Sequence, residues 1–233
     1  MNMIENTIRP RLMWFAERVR QDILFADIGT DHAKLPVYLI QRGRIRHAIA
    51  SDIGEGPIER ARAYIDACGL AQKIDTLIGD GVRHLQIAPP ADIAICGMGG
   101  ETICNIIESA SFLKNDSIRL LLQPMTDFSL LRHYLSQNGF TAEEEDIVLS
   151  DGRMYQCMIV YYTGKPYTLS AVEAELGALC IKKRSATFLQ YVQRRKNIVQ
   201  KCLDGKNRSG ADITEETELL TAYNKILQGE VCN

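Results

Sequence analysis

The chain has 233 residues, 46% of them hydrophobic and 24% charged, which marks a globular protein of one or two domains. No apolar run approaches the roughly 18 residues of a membrane span, and residues 1–20 set Arg9, Arg11, Glu17, Arg18 and Arg20 around a short apolar stretch, so a cytoplasmic protein is expected and secretion or membrane insertion is not. The formal net charge of −2 conceals a division: 16 basic and 21 acidic side chains in 1–162, 10 and 3 in 163–208, 1 and 5 in 209–233.

In chain order, the first pattern is a helix over 11–20, with Leu12, Phe15, Ala16 and Val19 facing inward against a sheet. Short apolar β-rich runs follow at 24–27, 45–51, 75–78, 92–96 and 118–122. Helical patterns separate them. Ile58, Ala61 and Ile65, with Pro57 near the start and Gly69 past the end, mark one helix; Ile103, Ile106 and Ile107 mark another; Leu131, Tyr134 and Leu135 before Gly139 mark a third. Repeated strand–helix–strand connection makes a parallel sheet covered on both faces, because a parallel pair cannot be closed by a tight turn. Runs at 144–149 and 154–162 break the rule: only Ser150-Asp151-Gly152-Arg153 lies between them, and Asp-Gly between apolar runs signals a hairpin. Five parallel units and an antiparallel pair resemble the seven-stranded Rossmann-type methyltransferase sheet with its antiparallel last strand.

Beyond Tyr162 the strand signals stop, and Gly164 and Pro166 place a boundary between a domain over 1–162 and a helical, coiled-coil-like lobe over 163–233. In the lobe Leu169, Val172, Leu176 and Leu179 recur at helical spacing, as do Leu219, Leu220, Tyr223, Ile226 and Leu227, with 204–212 read as a polar turn between two helices.

In an open parallel sheet the ligand lies beyond the carboxyl ends of the strands. The first such turn is Asp27-Ile28-Gly29-Thr30-Asp31-His32-Ala33. A pyrophosphate needs several glycines on a helix start; this turn has one glycine and two carboxylates. S-adenosyl-L-methionine (SAM), which has no phosphate and carries a sulfonium and an ammonium, suits it better. Helix capping by Asp27 and Asp31 is the plain alternative. Asp52 ends the second run, 25 residues after Asp27, and is placed to accept both ribose hydroxyls of an adenosine, with Ile53 beside it; after the third run, Gly79-Asp80-Gly81 can bring Asp80 to the adenine amine or be merely a turn. The fourth run ends Cys96-Gly97-Met98-Gly99-Gly100, where a methyl acceptor must meet the cofactor. The Asn/Asp-Pro-Pro-aromatic motif usual for methylating exocyclic amines is absent there, and glycines can equally serve close packing.

These elements together resemble the bacterial tRNA (adenine-22-N1)-methyltransferase family. The likeness is carried in order over 12–162 by the Asp27–Ala33 segment with Leu35-Pro36, by Glu55-Gly56-Pro57, Gly79-Asp80-Gly81, Gly97-Met98-Gly99-Gly100, Leu122-Gln123-Pro124, Leu131-Arg132 and Asp151-Gly152 with Tyr155. Two positions depart from the family pattern: Lys34 stands where an aromatic is common, and Asp52 where Glu is usual. The resemblance implies SAM-dependent methylation of adenine N1 in tRNA. It implies a cofactor site of Asp27, Gly29, Asp52, Ile53, Asp80, Gly81 and Gly97, and a substrate side of Met98, Gly99, Gly100, Gln123 and Pro124. Asp31 is the candidate catalytic group: attack by a ring nitrogen needs no prior proton removal, and a carboxylate accepting from the adenine amine would orient the base and stabilise its developing charge. The target base must first be extruded from the folded RNA.

The basic segment gives a candidate RNA contact, Lys182, Lys183 and Arg184 with Arg194, Arg195 and Lys196, two triplets 12 residues apart and about 18 Å apart on one continuous helix. A solvated helix face is the plain alternative; in that case Arg9, Arg11, Arg42, Arg44 and Arg46 would take over recognition. The seven cysteines are scattered without Cys-x-x-Cys, so reduced thiols, no metal and no obligate protein partner are expected. A small-molecule methyltransferase and a non-catalytic, SAM-responsive RNA-binding module are the competing functions.

Overall fold

The computed structural model describes residues 8–85 and 87–230; the first seven residues of the expected first domain, and the last three of the expected lobe with Cys232, lie outside them. Each predicted strand is present: β1 (Leu24–Ile28), β2 (Ala48–Asp52), β3 (Ile74–Ile78), β4 (Ala91–Met98), β5 (Ile118–Pro124), β6 (Phe140–Ser150) and β7 (Arg153–Tyr162). They form one sheet in the order β3-β2-β1-β4-β5-β7-β6. Strands β1 to β5 run parallel, and β7 pairs antiparallel with both β5 and β6. The β6–β7 turn is made by Asp151 and Gly152, both at positive φ (51° and 73°), the conformation an Asp-Gly hairpin requires.

Helices cover both faces because the strands are apolar on both sides. On one face α1 (Pro10–Ala16), α2 (Lys34–Gln41) and α3 (Glu55–Ala67) bury Phe15, Leu35, Leu39 and Ile65 against Phe25, Ala94 and Ile159. On the other, α4 (Gly100–Glu108) and α5 (Phe128–Gln137) bury Ile103, Ile107 and Leu131 against Ile93, Ile95 and Leu120. The expected helix over 11–20 is shorter. It ends at Ala16, after which the chain turns so that the Arg20 N–H and guanidinium reach the fully buried Asp92 carboxylate (2.8 and 2.9 Å), which Arg119 also grips. The link from β3 to β4 carries no helix among its described residues, so the expected run of five strand–helix units is interrupted there.

The C-terminal segment forms α6 (Ala171–Leu176), α7 (Ala178–Lys183), α8 (Ala186–Ser209) and α9 (Thr214–Gln228). Val172, Leu176, Phe188, Val192, Tyr223 and Ile226 make a third core, which includes Ile147 from β6. Two expectations are corrected here. Gly177 (φ 87°) separates α6 from α7, and Arg184 (φ 52°) ends α7 before Ser185 caps α8, so the two basic triplets do not share a continuous helix. The predicted turn at 204–212 is mostly helix: α8 runs on through Gly205, its last turn tied to α9 by Lys206–Glu216 (2.7 Å), and the chain reverses only from Gly210. Packing against a neighbouring helix outweighs the ~1 kcal/mol that an interior glycine costs.

Candidate active site

At the carboxyl ends of β1 and β4 the chain leaves a cleft of about 360 Å³, lined by Asp27, Gly29, Thr30, Asp31 and Gly97 and, from the start of α1, by Arg11. Backbone bonds hold the surrounding loops in one frame. The N–H groups of Gly29 and Thr30 donate to the Ser51 carbonyl (2.8 and 3.0 Å), and that of Gly79 donates to the Asp52 carbonyl (3.0 Å). The turn after β1 favours its glycine, Gly29, through a φ of 75°, and the Met98 methyl packs where a β-carbon would stand.

Asp27 does not cap a helix. The start of α2 is served by Thr30, whose hydroxyl oxygen accepts from the Ala33 N–H (3.0 Å). The same hydroxyl bonds the Asp27 carboxylate; burial nevertheless pushes the Asp27 pKa up to about 6, and the charge of Asp52 adds to the rise. Asp52 accepts from the Gly54 N–H (2.8 Å) and stands beside Ile53, an aliphatic side chain 70% exposed. Asp80 and Gly81 (φ 61°) occupy an exposed and a partly covered position on the next loop. Thus Asp27, Gly29 and Gly97 line the cleft, while Asp52 ends β2 and Ile53, Asp80 and Gly81 lie on the adjoining loops.

Asp31 is at the cleft mouth, largely exposed. Arg60 of α3 donates to one of its oxygens (3.0 Å from Nε) and His32 Nε2 stands 3.2 Å from the other. The hydrogen bond from Arg60 holds the Asp31 carboxyl below its ordinary range, so it is ionised throughout the physiological range.

The residues expected on the substrate side differ in their surroundings. Gly97 (φ 81°) borders open space, with only Arg11 near where a β-carbon would be. Gly100 is a packing glycine: a β-carbon would lie 2.4 Å from the Asp127 carbonyl, and its N–H donates to the Thr126 carbonyl (3.0 Å). Gly99 lies against the Thr126 hydroxyl, and Met98 lies across Gly29. Gln123 is buried; its amide donates to the Pro124 carbonyl (2.8 Å) and accepts from Arg11.

Three further residues shape the site. Arg11, expected at the start of the helix covering the sheet and as a fallback RNA contact, sends its guanidinium into the cleft, where it bonds Gln123 and lies 5.2 Å from the Tyr155 ring, with its Nε buried without a partner. His84 is exposed and packs over Gly79, where a β-carbon would meet its ring at 2.3 Å, and its Nε2 is 3.1 Å from the Ser51 hydroxyl. Arg60 had no signal beyond its helix. Arg44 and Arg46, by contrast, lie at the opposite, amino end of β2, occupied with the Val19 carbonyl and Asp22.

Of the six basic residues expected to meet RNA, three are engaged within the fold. Lys183 pairs with Asp146, Arg184 donates to the Ile226 carbonyl (2.5 Å), and Arg195 pairs with Glu175. Lys182, Arg194 and Lys196 have no ion pair among the described residues. Among those residues there is also no cluster suited to a metal ion and no helix long and apolar enough to cross a membrane. Six cysteines are free thiols, and burial raises the pKa of Cys96, Cys104, Cys157 and Cys180, which keeps them protonated.

Residues 8–158 match the methyltransferase-domain family. The chain is 29% identical over 192 residues to the tRNA (adenine(22)-N(1))-methyltransferase of Bacillus subtilis (strain 168), spanning 81% of each chain. It resembles the crystal structure of a Streptococcus pneumoniae protein, a candidate tRNA (m1A22) methyltransferase in complex with S-adenosyl-L-methionine, with a TM-score of 0.82 and 30% identity over 95% of this chain and 100% of that one. The crystal structure of the B. subtilis m1A22 tRNA methyltransferase TrmK matches with a TM-score of 0.76 and 26% identity, over 96% and 97%.

Proposed function

Because the chain belongs to the methyltransferase-domain family, and within it to the bacterial tRNA (m1A22) methyltransferases, we propose that it transfers a methyl group from SAM to N1 of adenine 22 in tRNA, in the cytoplasm. One observation carries the reading: a cleft at the carboxyl ends of the strands that sets carboxylates beside a buried, partnerless Arg11 Nε, with a single glycine in the turn after β1. That chemistry fits a zwitterionic amino-acid tail joined to an uncharged nucleoside. When bound, SAM supplies an electrophilic methyl group on a positively charged sulfur.

The residues divide the work. Asp27 would hold the cationic end of the cofactor, Arg11 its carboxylate, Asp52 the ribose hydroxyls, with Ile53 against the adenine and Asp80 at its edge. Gly29, Gly81 and Gly97 keep the backbone close. Asp31, kept ionised by Arg60, accepts from the amine of the target adenine and stabilises the positive charge that the base acquires. Gly97 to Gly100, with Gln123 and Pro124, form the wall against which the base lies. We assign binding and chemistry to 1–162 and tRNA contacts to 163–233, with Lys182, Arg194 and Lys196 the members of the two triplets left free to meet phosphates.

Incubation with labelled SAM and unmodified tRNA should place the label at adenine 22, seen as a reverse-transcription block that vanishes when that base is replaced by guanine. Label on small acceptors alone, or none on tRNA, would refute the proposal. Asp31→Asn is expected to slow transfer by two or more orders of magnitude while SAM affinity stays within about tenfold, a difference of ~1.4 kcal/mol. A loss of SAM binding that accounts for the whole rate change would move Asp31 to the cofactor site.

A further inference from the structure

Next to the candidate active site is a second cleft, of about 280 Å³, formed where the catalytic sheet meets the helical lobe. Met125 and Phe128 follow β5, Arg153 and Tyr155 open β7, and Arg194 and Ile198 reach in from α8. Its chemistry is mixed. Met125 (42% exposed) and Ile198 (43%) are among the large apolar side chains left open to solvent. Neither the Arg153 nor the Arg194 guanidinium has a hydrogen bond or ion pair among the described residues, although that of the neighbouring Arg195 is held by Glu175.

The cleft also adjoins the reaction site. Tyr155 lies under the Arg11 guanidinium, which lines the catalytic cleft and bonds Gln123, so one arginine forms the partition between the two spaces. Both open at the carboxyl ends of the parallel strands, since β7, running antiparallel, begins where β5 ends.

We propose that this cleft receives the nucleotide adjoining the methylated adenine, its base against Met125, Phe128 and Ile198 and its flanking phosphates on Arg153 and Arg194. The inference rests on the reading of the chain as a tRNA adenine-N1 methyltransferase. Extruding the target base breaks its stacking on both neighbours, which costs free energy. Apolar and aromatic surface one nucleotide away offsets that cost by replacing the lost stack, independently of base identity, and unpaired guanidinium groups fix the backbone across the partition. Because its walls come from both parts of the chain, the cleft also fixes the helical lobe's direction relative to the reacting base.

The test uses the full chain and two surface variants, Arg153→Ala/Arg194→Ala and Met125→Ser/Ile198→Ser, with SAM affinity as the check on folding. The arginine variant is expected to raise the KM for tRNA at least tenfold and to reduce the salt dependence of tRNA binding, with SAM affinity unchanged. In tRNA carrying 2-aminopurine at position 21 or 23, the wild-type protein should change the fluorescence at one of the two positions, and the Met125→Ser/Ile198→Ser variant should lose that change. If wild-type protein methylates tRNA while the arginine variant keeps its KM and salt slope, the cleft assignment is overturned and the activity stands. Unaltered fluorescence at both positions in an actively methylating complex overturns it as well. Failure of the wild-type protein to methylate tRNA overturns the functional reading itself.

Discussion

Asp27→Asn is expected to weaken SAM binding by about 10- to 150-fold and, in the same protein, to raise the stability of the ligand-free fold at neutral pH. The first effect is the loss of a charge-assisted hydrogen bond to a cationic group, about 1.5–3 kcal/mol. The second follows from the cost of keeping the Asp27 carboxylate ionised in its buried place. Its folded-state pKa is raised from 3.8 to about 6 by burial, against the opposing hydrogen bond from Thr30. Between those values the folded state holds a proton that the unfolded state has released. The contribution of Asp27 to stability is therefore fully present below pH ~4, is lost as pH rises through about 6, and leaves a deficit of up to about 3 kcal/mol above it. An asparagine removes that deficit. Thermal unfolding without ligand should give the variant a higher Tm at pH 8 and little or no advantage at pH 4, while calorimetry records the weaker SAM binding. The wild-type protein should in turn lose SAM affinity as pH falls below 6, because the carboxylate must be ionised to hold the ligand's cation. Equal SAM affinity for the two proteins would remove Asp27 from the cofactor site.

The largest effect on stability is expected from Arg132→Met. Arg132 of α5 (5% exposed) and Glu145 of β6 (4%) form a buried pair, 2.7 Å between Nε and Oε1. Around it the helical lobe is seated: Arg132 donates to the Ala174 carbonyl (3.1 Å) at the end of α6, and Glu145 accepts from the Leu179 N–H (3.1 Å) at the start of α7. Gly177 passes between these contacts at φ 87°, and a β-carbon there would lie 2.7 Å from the Glu145 carboxylate. Removing the arginine alone leaves a buried, unpaired charge, at a cost of about 3–5 kcal/mol. Arg132→Met/Glu145→Leu should recover a large part of that loss, since two apolar groups of similar size avoid the uncompensated carboxylate. Urea unfolding of the two variants decides the matter: a double variant no more stable than Arg132→Met would show that the backbone contacts, not the ion pair, seat the lobe. SAM affinity should hold in every variant that folds, because the pair does not line the cleft at the ends of β1 and β4.

What the sequence determined by itself was much of what depends on near neighbours. Alternating apolar runs and helical spacings gave the seven strands, because each pattern reflects a single element burying its own faces. Asp151-Gly152 gave the hairpin, since few other residue pairs adopt two consecutive positive φ angles without strain. That the acidic residues after β1, β2 and β3 lie at one end of the sheet was legible, because a parallel sheet delivers all its strand ends to one side.

Contacts between distant residues were decided only by the tertiary structure. Arg11 meets Gln123 across 112 positions, and Asp31 meets Arg60 across 29. A guanidinium's reach is readable in a sequence, but its partner is not, because the partner is chosen by which surfaces the packed core brings together. The same reason divides the basic segment. Charge alone made its two triplets equivalent; folding broke the helix between them at Arg184, paired Lys183 and Arg195 with carboxylates, and left Lys182, Arg194 and Lys196 to the solvent. Net charge is a property of the chain, but free charge is a property of the fold, because only packing determines which cations find an acid within reach.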